Sequence, residues 1–263
     1  MTDVTTTSTF TGFMWGTPAD QHVLQLLLAD LLSFEAADCA LTGAALLLGA
    51  PQLSGMRDNM RPPVGLSAVH ESQRFWKNGS APLGTEREVA VSQSLTDGAA
   101  RFSIQSKLRD TLVGELETRL RFVAPDQLRT IKGATFSQRL VTPGAVEITS
   151  APIEQAISQK YVYLAHDDNP IHIDDEAAKS AGLAGAVVPG MLLCALSEAV
   201  FAEYGTASAE EIKTRFMAAV PVGEAVRLVV VPRGKGDHQW AHGRVFCVRE
   251  DGMIAAITDI SIA

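Results

Sequence analysis

Cysteine is scarce in this chain, and basic residues do not outnumber acidic ones. Cys39, Cys194 and Cys247 stand far apart, in apolar surroundings and without CxxC spacing. That argues against a disulfide framework or a metal knuckle and predicts buried thiols. Lys and Arg number 22 against 30 Asp and Glu, a formal net charge of -8. A nucleic-acid partner, which needs clustered cationic surface, is therefore not expected. The longest apolar run, in VLQLLLADLLSF, is interrupted by Gln25 and Asp30 and is too short to cross a bilayer, so no membrane partner is expected either. The stretch MTDVTTTSTFTGFMWG has no basic segment leading into an apolar one, which predicts no signal peptide and a cytoplasmic location. The remainder is an ordinary globular composition, 46% hydrophobic and 20% charged over 263 residues, enough for one large domain or two small ones.

Two kinds of periodicity divide the chain. Val23, Leu24, Leu27, Leu28, Leu31 and Leu32 recur at helical spacing from Gln21. FEAADCALTGAALLLG, residues 34–49, reads as a second helix stopped by Gly49-Ala50-Pro51. Residues 51–70 read as an irregular loop whose Arg57 and Arg61 are solvated, the alternative being contact with a phosphate-bearing ligand. From Ser72 the period becomes two. QRFW, REVAVSQSL, AARFSIQSKLRD and ELETRLRFVA read as antiparallel strands, with turns at Asn78-Gly79, Asp97-Gly98 and Gly114. Residues 125–145 lose the period and read as a linker. A short strand, a helix from about Ile153, a helix from Gly190, and strands in IKTRFMAAV, EAVRLVVVPRG, HQWAHGRVFCVRE and MIAAITDISIA complete the chain.

The halves overlay. Pro82 and Gly84 match Pro221 and Gly223, 139 residues on, and RDTLVGELETRL from Arg109 matches REDGMIAAITDI from Arg249, 140 residues on. A near-constant offset predicts a duplicated unit in which a twisted antiparallel sheet wraps a central helix, an α+β fold.

Chemistry concentrates between Tyr161 and Met191, YVYLAHDDNPIHIDDEAAKSAGLAGAVVPGM. Pro170 forces Asn169 out of the helical region, so the preceding helix must end near Asp167. The turn that follows can set Asp167 opposite His172. An imidazole titrates near neutrality and a carboxylate beside it can orient a water, a pairing suited to proton transfer. Asn169 can lock the loop through backbone hydrogen bonds. Gly190, at the start of the next helix, offers a free N–H to a carbonyl oxygen that gains charge. Asp168, Asp174 and Asp175 read as solvated or capping residues, and Ser197, lacking a G-x-S-x-G elbow, is not a nucleophile. His238, Trp240 and His242 read as cross-strand packing, and Arg74 and Trp76 as strand residues.

This stretch resembles the hydratase motif of the MaoC-like, (R)-specific enoyl-CoA hydratase family: an aromatic, then Asp-x-Asn-Pro-apolar-His, then Gly-Met at a helix start. The repeat resembles that family's double hot-dog architecture, and QRFWKNGSAPLGTEREV resembles its first, non-catalytic module. The resemblance implies an N-terminal hot-dog module over residues 1–135 without the motif, and a catalytic module over 136–263. It implies a lyase of fatty-acid metabolism, hydrating a trans-2-enoyl thioester of CoA or acyl carrier protein, or dehydrating a 3-hydroxyacyl thioester. Asp167 and His172 would be catalytic, Asn169 would hold the loop, and Gly190 would bind the thioester oxygen, with no metal or cofactor. The first module would widen the wall of an acyl tunnel. His166, Pro189, Met191 and Glu198 are pocket candidates. The chain departs from the pattern at His166, at Pro189 (where the family has His), and at Glu198, which the motif would set against Asp167 so as to raise its pKa. The chain would be a pseudo-dimer, with pairing of two chains a further expectation. The alternatives are a hot-dog thioesterase and a non-catalytic acyl-thioester-binding subunit.

Overall fold

The structure is a computed structural model that describes residues 4–13, 18–35, 41–42, 62–77, 86–95, 98–108, 111–131, 133–167, 169–204, 209–234 and 240–262. Ten strands form one antiparallel sheet: β1 (Val4–Phe13), β2 (Ser67–Lys77), β3 (Glu86–Leu95), β4 (Ala99–Leu108), β5 (Thr111–Val123), β6 (Val146–Thr149), β7 (Ala209–Phe216), β8 (Arg227–Pro232), β9 (His242–Val248) and β10 (Ile254–Ile262). Their order is β1-β3-β4-β5-β2-β7-β10-β9-β8-β6. Read outward from the middle, each half has the same sequence of strands, so the sheet is a tandem hot-dog with its seam at β2–β7. At the seam Ser72 pairs with Arg215, Phe75 with Ile212 and Trp76 with Glu211. The offset of about 140 residues carries β3, β4 and β5 onto β8, β9 and β10, so the repeat in the sequence is a repeat in the sheet.

The helices are α1 (Pro18–Leu32), α2 (Pro125–Leu128), α3 (Gln155–Leu164), α4 (Asp175–Ser180) and α5 (Gly190–Tyr204). From Met191 to Phe201 every residue of α5 is buried. A helix with no polar face is stable only when covered on all sides. The inner faces of β7 to β10 and helix α1 supply that cover. Helix α1 buries Leu24, Leu27, Leu28, Leu31 and Leu32 as its spacing predicts, but Val23 is about half exposed. Of the second predicted helix, the described residues Phe34, Glu35, Leu41 and Thr42 are not helical, and the rest lies outside the described residues. Arg57, Arg61, Asn78-Gly79 and Asp168 also lie outside them.

Gly114 is not a turn. It lies inside β5, opposite Lys77 and Ser106, beside a register shift in the β4–β5 ladder. The expected linker is ordered against the second half. Phe136 N–H donates to Gly252 O at 2.9 Å, Ile254 N–H donates to Ala134 O at 2.8 Å, and the Phe136 ring packs on Phe246 under the Arg227 guanidinium. This cover explains the unbroken LVVV of β8: Leu228 and Val230 face the helix while Val229 and Val231 face the linker. Among the described residues no helix is long and apolar enough to cross a membrane.

Gly243 of β9 marks where the sheet comes closest to α5. A Cβ there would lie 2.3 Å from Cε2 of Phe201, inside the ring's van der Waals surface. Gly243→Ala is expected to lower stability by about 1–3 kcal/mol through overpacking. Urea denaturation should show a lower midpoint at unchanged slope.

Candidate active site

Helix α3 ends as Pro170 requires. Ala165 caps it, His166 takes a left-handed φ of 46°, and Asp167 N–H returns to Val162 O at 2.9 Å. Asn169 is extended (φ −73°, ψ 111°), and its side-chain oxygen accepts the Ile171 N–H at 3.4 Å. Asp167 Oδ1 accepts the Asn169 N–H at 3.1 Å, which leaves Oδ2 to face the imidazole. A single turn of 3-10 helix, Pro170–His172, then carries the ring inward.

His172 is buried, and its Nε2 lies 3.6 Å from Asp167 Oδ2, whose side chain is 35% exposed. Nδ1 lies 2.8 Å from the Val187 carbonyl. A carbonyl can only accept, so Nδ1 carries the proton and the Nε2 lone pair of the neutral ring points towards the carboxylate. A water oxygen beside the pair, off the line that joins the two atoms, can lie within hydrogen-bond reach of both. The backbone at His172 is clamped as well, since Ser158 Oγ and Gln155 Nε2 donate to its carbonyl at 3.1 and 3.2 Å. Val187 N–H donates to Ile171 O and Val188 N–H to Val220 O, so the segment leading into α5 is stitched to both the motif turn and the second half. Tyr161, the aromatic of the motif, is fully buried. Its phenol is pushed well above the ordinary range by burial, with the charges of Asp167 and Cys194 adding to the effect.

Gly190 opens α5, and its missing side chain matters. A Cβ there would stand 3.1 Å from Cε1 and 3.2 Å from Cδ1 of Phe216, at the end of β7. Pro189 is buried just before it, and its carbonyl accepts the Leu192 N–H at 3.0 Å. Met191 is also buried and joins the core.

The structure brings Asp167, Asn169 and His172 together and places two other candidates elsewhere. His166 is an exposed residue at the left-handed helix end, not a pocket wall. Glu198 lies two turns along α5 and faces the first half, where one carboxylate oxygen accepts the Thr42 N–H and the charge of Lys77 acts on it. Asp174 caps α4 by accepting the Glu176 and Ala177 N–H groups, as read from the sequence. Asp175 ties down the later loop through the Ala186 N–H at 2.7 Å. Ser197 donates to Leu193 O within α5. Trp240 stacks on Tyr204 and meets Phe201, His242 is exposed, and His238 lies outside the described residues.

His70, Phe216, Gln155, Ser158 and Val187 were missed. His70 lies on β2 of the first half, where its ring meets that of Phe216 at 4.4 Å between centroids. Burial lowers its pKa to about 4 against the pull of hydrogen bonds to Gln73 and Ser72, and the charge of nearby His172 lowers it further. The surrounding SAVHESQ gives no local signal that singles it out.

Comparison with known proteins bears on this geometry. Residues 137–246 match the family model described as MaoC like domain. A stretch of 44 residues is 46% identical to the mitochondrial 3-hydroxyacyl-[acyl-carrier-protein] dehydratase FERN of Solanum lycopersicum, covering 17% of this chain and 27% of that protein. The chain thus spans about a quarter of that relative's length. Among solved structures, HtdX of Mycobacterium tuberculosis superposes with a TM-score of 0.65 at 14% identity, over 97% of this chain and 100% of that one. A MaoC-like dehydratase superposes at 0.68 and 14%, over 98% of each chain. The full-length peroxisomal multifunctional enzyme type 2 of Drosophila melanogaster superposes at 0.65 and 17%, over 98% of this chain and 48% of that one. At these identities the superpositions speak for the fold.

Glu198 supplies a test of the electrostatics beside the site. Burial raises its pKa from 4.5 to about 7, against hydrogen bonds from Thr42 and the charge of Lys77. A carboxyl whose pKa is raised on folding binds its proton more tightly in the native state. Its contribution to stability is therefore full below about pH 4.5 and is lost as pH rises to about 7. The swing is at most about 3 kcal/mol. Glu198→Gln is expected to flatten that part of the stability–pH curve, measured by urea denaturation at several pH values. An unchanged slope would mean that Glu198 ionises normally.

Proposed function

We propose that this chain, whose residues 137–246 match the model described as MaoC like domain, is a hydro-lyase. It adds water reversibly across the double bond of a trans-2-enoyl thioester, forming a 3-hydroxyacyl thioester. The observation that carries this reading is the pair Asp167–His172, 3.6 Å apart, with the imidazole tautomer set by Val187. A water held beside Oδ2 and Nε2 is oriented by the carboxylate. Nε2 takes one of its protons as the oxygen bonds to C3. The electron pair of the double bond moves towards the thioester oxygen, which the Gly190 N–H at the start of α5 stabilises. The imidazolium, steadied by Asp167, then returns the proton to C2, so one water supplies both the hydroxyl and the hydrogen. Dehydration is the same path in reverse.

In this mechanism no cofactor is needed, because the thioester itself acidifies the C2 hydrogen. Asn169 holds the turn, and Pro189 and Met191 back the donor at Gly190. CoA and acyl carrier protein are both carriers compatible with the reading, and fatty-acid metabolism in the cytoplasm is its natural setting. The first half forms the rest of the acyl wall, which makes one chain a pseudo-dimer with a single site; two such chains can pair.

The reading is tested by following the enoyl-thioester absorbance with crotonyl-CoA and longer enoyl-CoAs. Asp167→Asn and His172→Ala are each expected to lower kcat by roughly a hundredfold to ten-thousandfold. Thioester hydrolysis without loss of the double bond would point to a thioesterase, and binding without turnover to a non-catalytic subunit.

A further inference from the structure

The first half of the chain lacks the Asp-x-Asn-Pro-x-His motif, yet its strand β2 delivers an imidazole to the seam. The delivery depends on a bulge. Opposite β5, His70 pairs with Leu120 and Ser72 with Arg119, so Glu71 is the extra residue. Glu71 points outward to Arg121, with 2.7 Å between Oε1 and Nε. His70 is thereby turned onto the inner face, in line with Gln73, Thr118 and Leu120. Without the bulge the period-two alternation would send His70 to the outer surface.

Inside, His70 is fixed at both ends. Its Nε2 lies 3.0 Å from Gln73 Oε1, and that oxygen also accepts from Thr118 Oγ1 at 2.8 Å. Its ring leans on Phe216, with 4.4 Å between centroids and 46° between planes. The Phe216 ring edge also stands 3.1 Å from where a Cβ of residue 190 would be. Thr118, Gln73, His70, Phe216 and Gly190 form a continuous train from β5 across β2 and β7 to the first residue of α5. Pro189 has no N–H, so the first donor at this helix start is the Gly190 N–H, and the Phe216 ring lies close to its Cα.

We propose that His70 is a positioning residue: held by Gln73, it seats Phe216 against Gly190 and so sets the orientation of the N–H that receives the thioester oxygen. This rests on the hydro-lyase reading and deepens it. The first half then aligns the catalytic donor as well as shaping the acyl wall, so neither half forms the site alone. An oxyanion donor counts mainly in the transition state, and a displacement of about 1 Å can cost a hundredfold.

The test uses the full chain with crotonyl-CoA. His70→Ala is expected to lower kcat roughly ten- to a hundredfold while KM moves by about twofold or less. Phe216→Leu should behave alike, and the double variant should be no worse than either single one, because both act through Gly190. His70→Phe keeps a ring on Phe216 and should recover most of kcat. In protein labelled with [15N]glycine, the Gly190 amide resonance should move in His70→Ala and return towards its original place in His70→Phe. An unchanged kcat in His70→Ala, independent effects of the two variants, or no advantage of Phe over Ala would overturn the proposal. A wild-type protein that hydrates no enoyl-CoA would instead sink the hydro-lyase reading. The Gly190 amide then still decides the coupling, and an amide unmoved by His70→Ala would overturn it.

Discussion

A helix that must be buried on every side organises this molecule. Between Met191 and Phe201 α5 exposes no residue, and the curved sheet of β7 to β10 together with helix α1 covers it along its length. The demand reaches down to single atoms. Gly243 lets β9 approach the Phe201 ring, and Cys194 and Cys247 lie within the cover with thiols pushed up to about 12 by burial. The same demand orients the chemistry. A buried helix has only its ends to offer, and the N-terminal end of α5 opens beside Phe216, where the two halves of the sheet meet. A donor at that position is stiff because the whole core holds it.

Around this axis the titratable groups behave as burial dictates. Glu198 in the middle of α5 is pushed up to about 7, Lys77 opposite it is lowered by burial, and His70 is lowered to about 4. Each shift favours the uncharged form, since desolvation outweighs the hydrogen bonds and opposing charges around each group. On their exposed side the seam strands instead carry the Arg74–Glu211 and Lys213–Glu211 ion pairs. The Asp167 side chain of the motif pair stays partly open to solvent.

How much of this was legible in sequence follows from distance along the chain. The turn from Asp167 to His172 was readable because its rules are local: a proline excludes the helical region for its predecessor, and an Asx residue bonds two residues ahead. The strands were readable by alternation, and the duplication by its offset of about 140 residues. Gly114 misled because a glycine inside a strand and a glycine in a turn look the same without the ladder. The surroundings of Glu198 were not legible because its partners Thr42 and Lys77 lie more than a hundred residues away along the chain. His70 was missed because its place on the inner face depends on a bulge at Glu71, and a bulge is defined only by the partner strand.

The duplication also explains why the missed residues matter. Two copies of one fold joined edge to edge place β2 beside β7, so residues 135 to 143 apart in sequence become neighbours across the seam. Once the motif stands in one copy only, the other is released from keeping its own acid, base and donor, yet its seam strand still borders the remaining site. The constraint on that strand is then geometric: something must fill the space between β2 and Phe216. A neutral imidazole fills it as a flat ring, and its nitrogen is answered by Gln73 within the same strand. A leucine could fill the volume but would lack the fixed direction. Under the proposed mechanism the asymmetry between the halves is a division of labour across one interface, with proton transfer on the motif turn and alignment on the strand facing it.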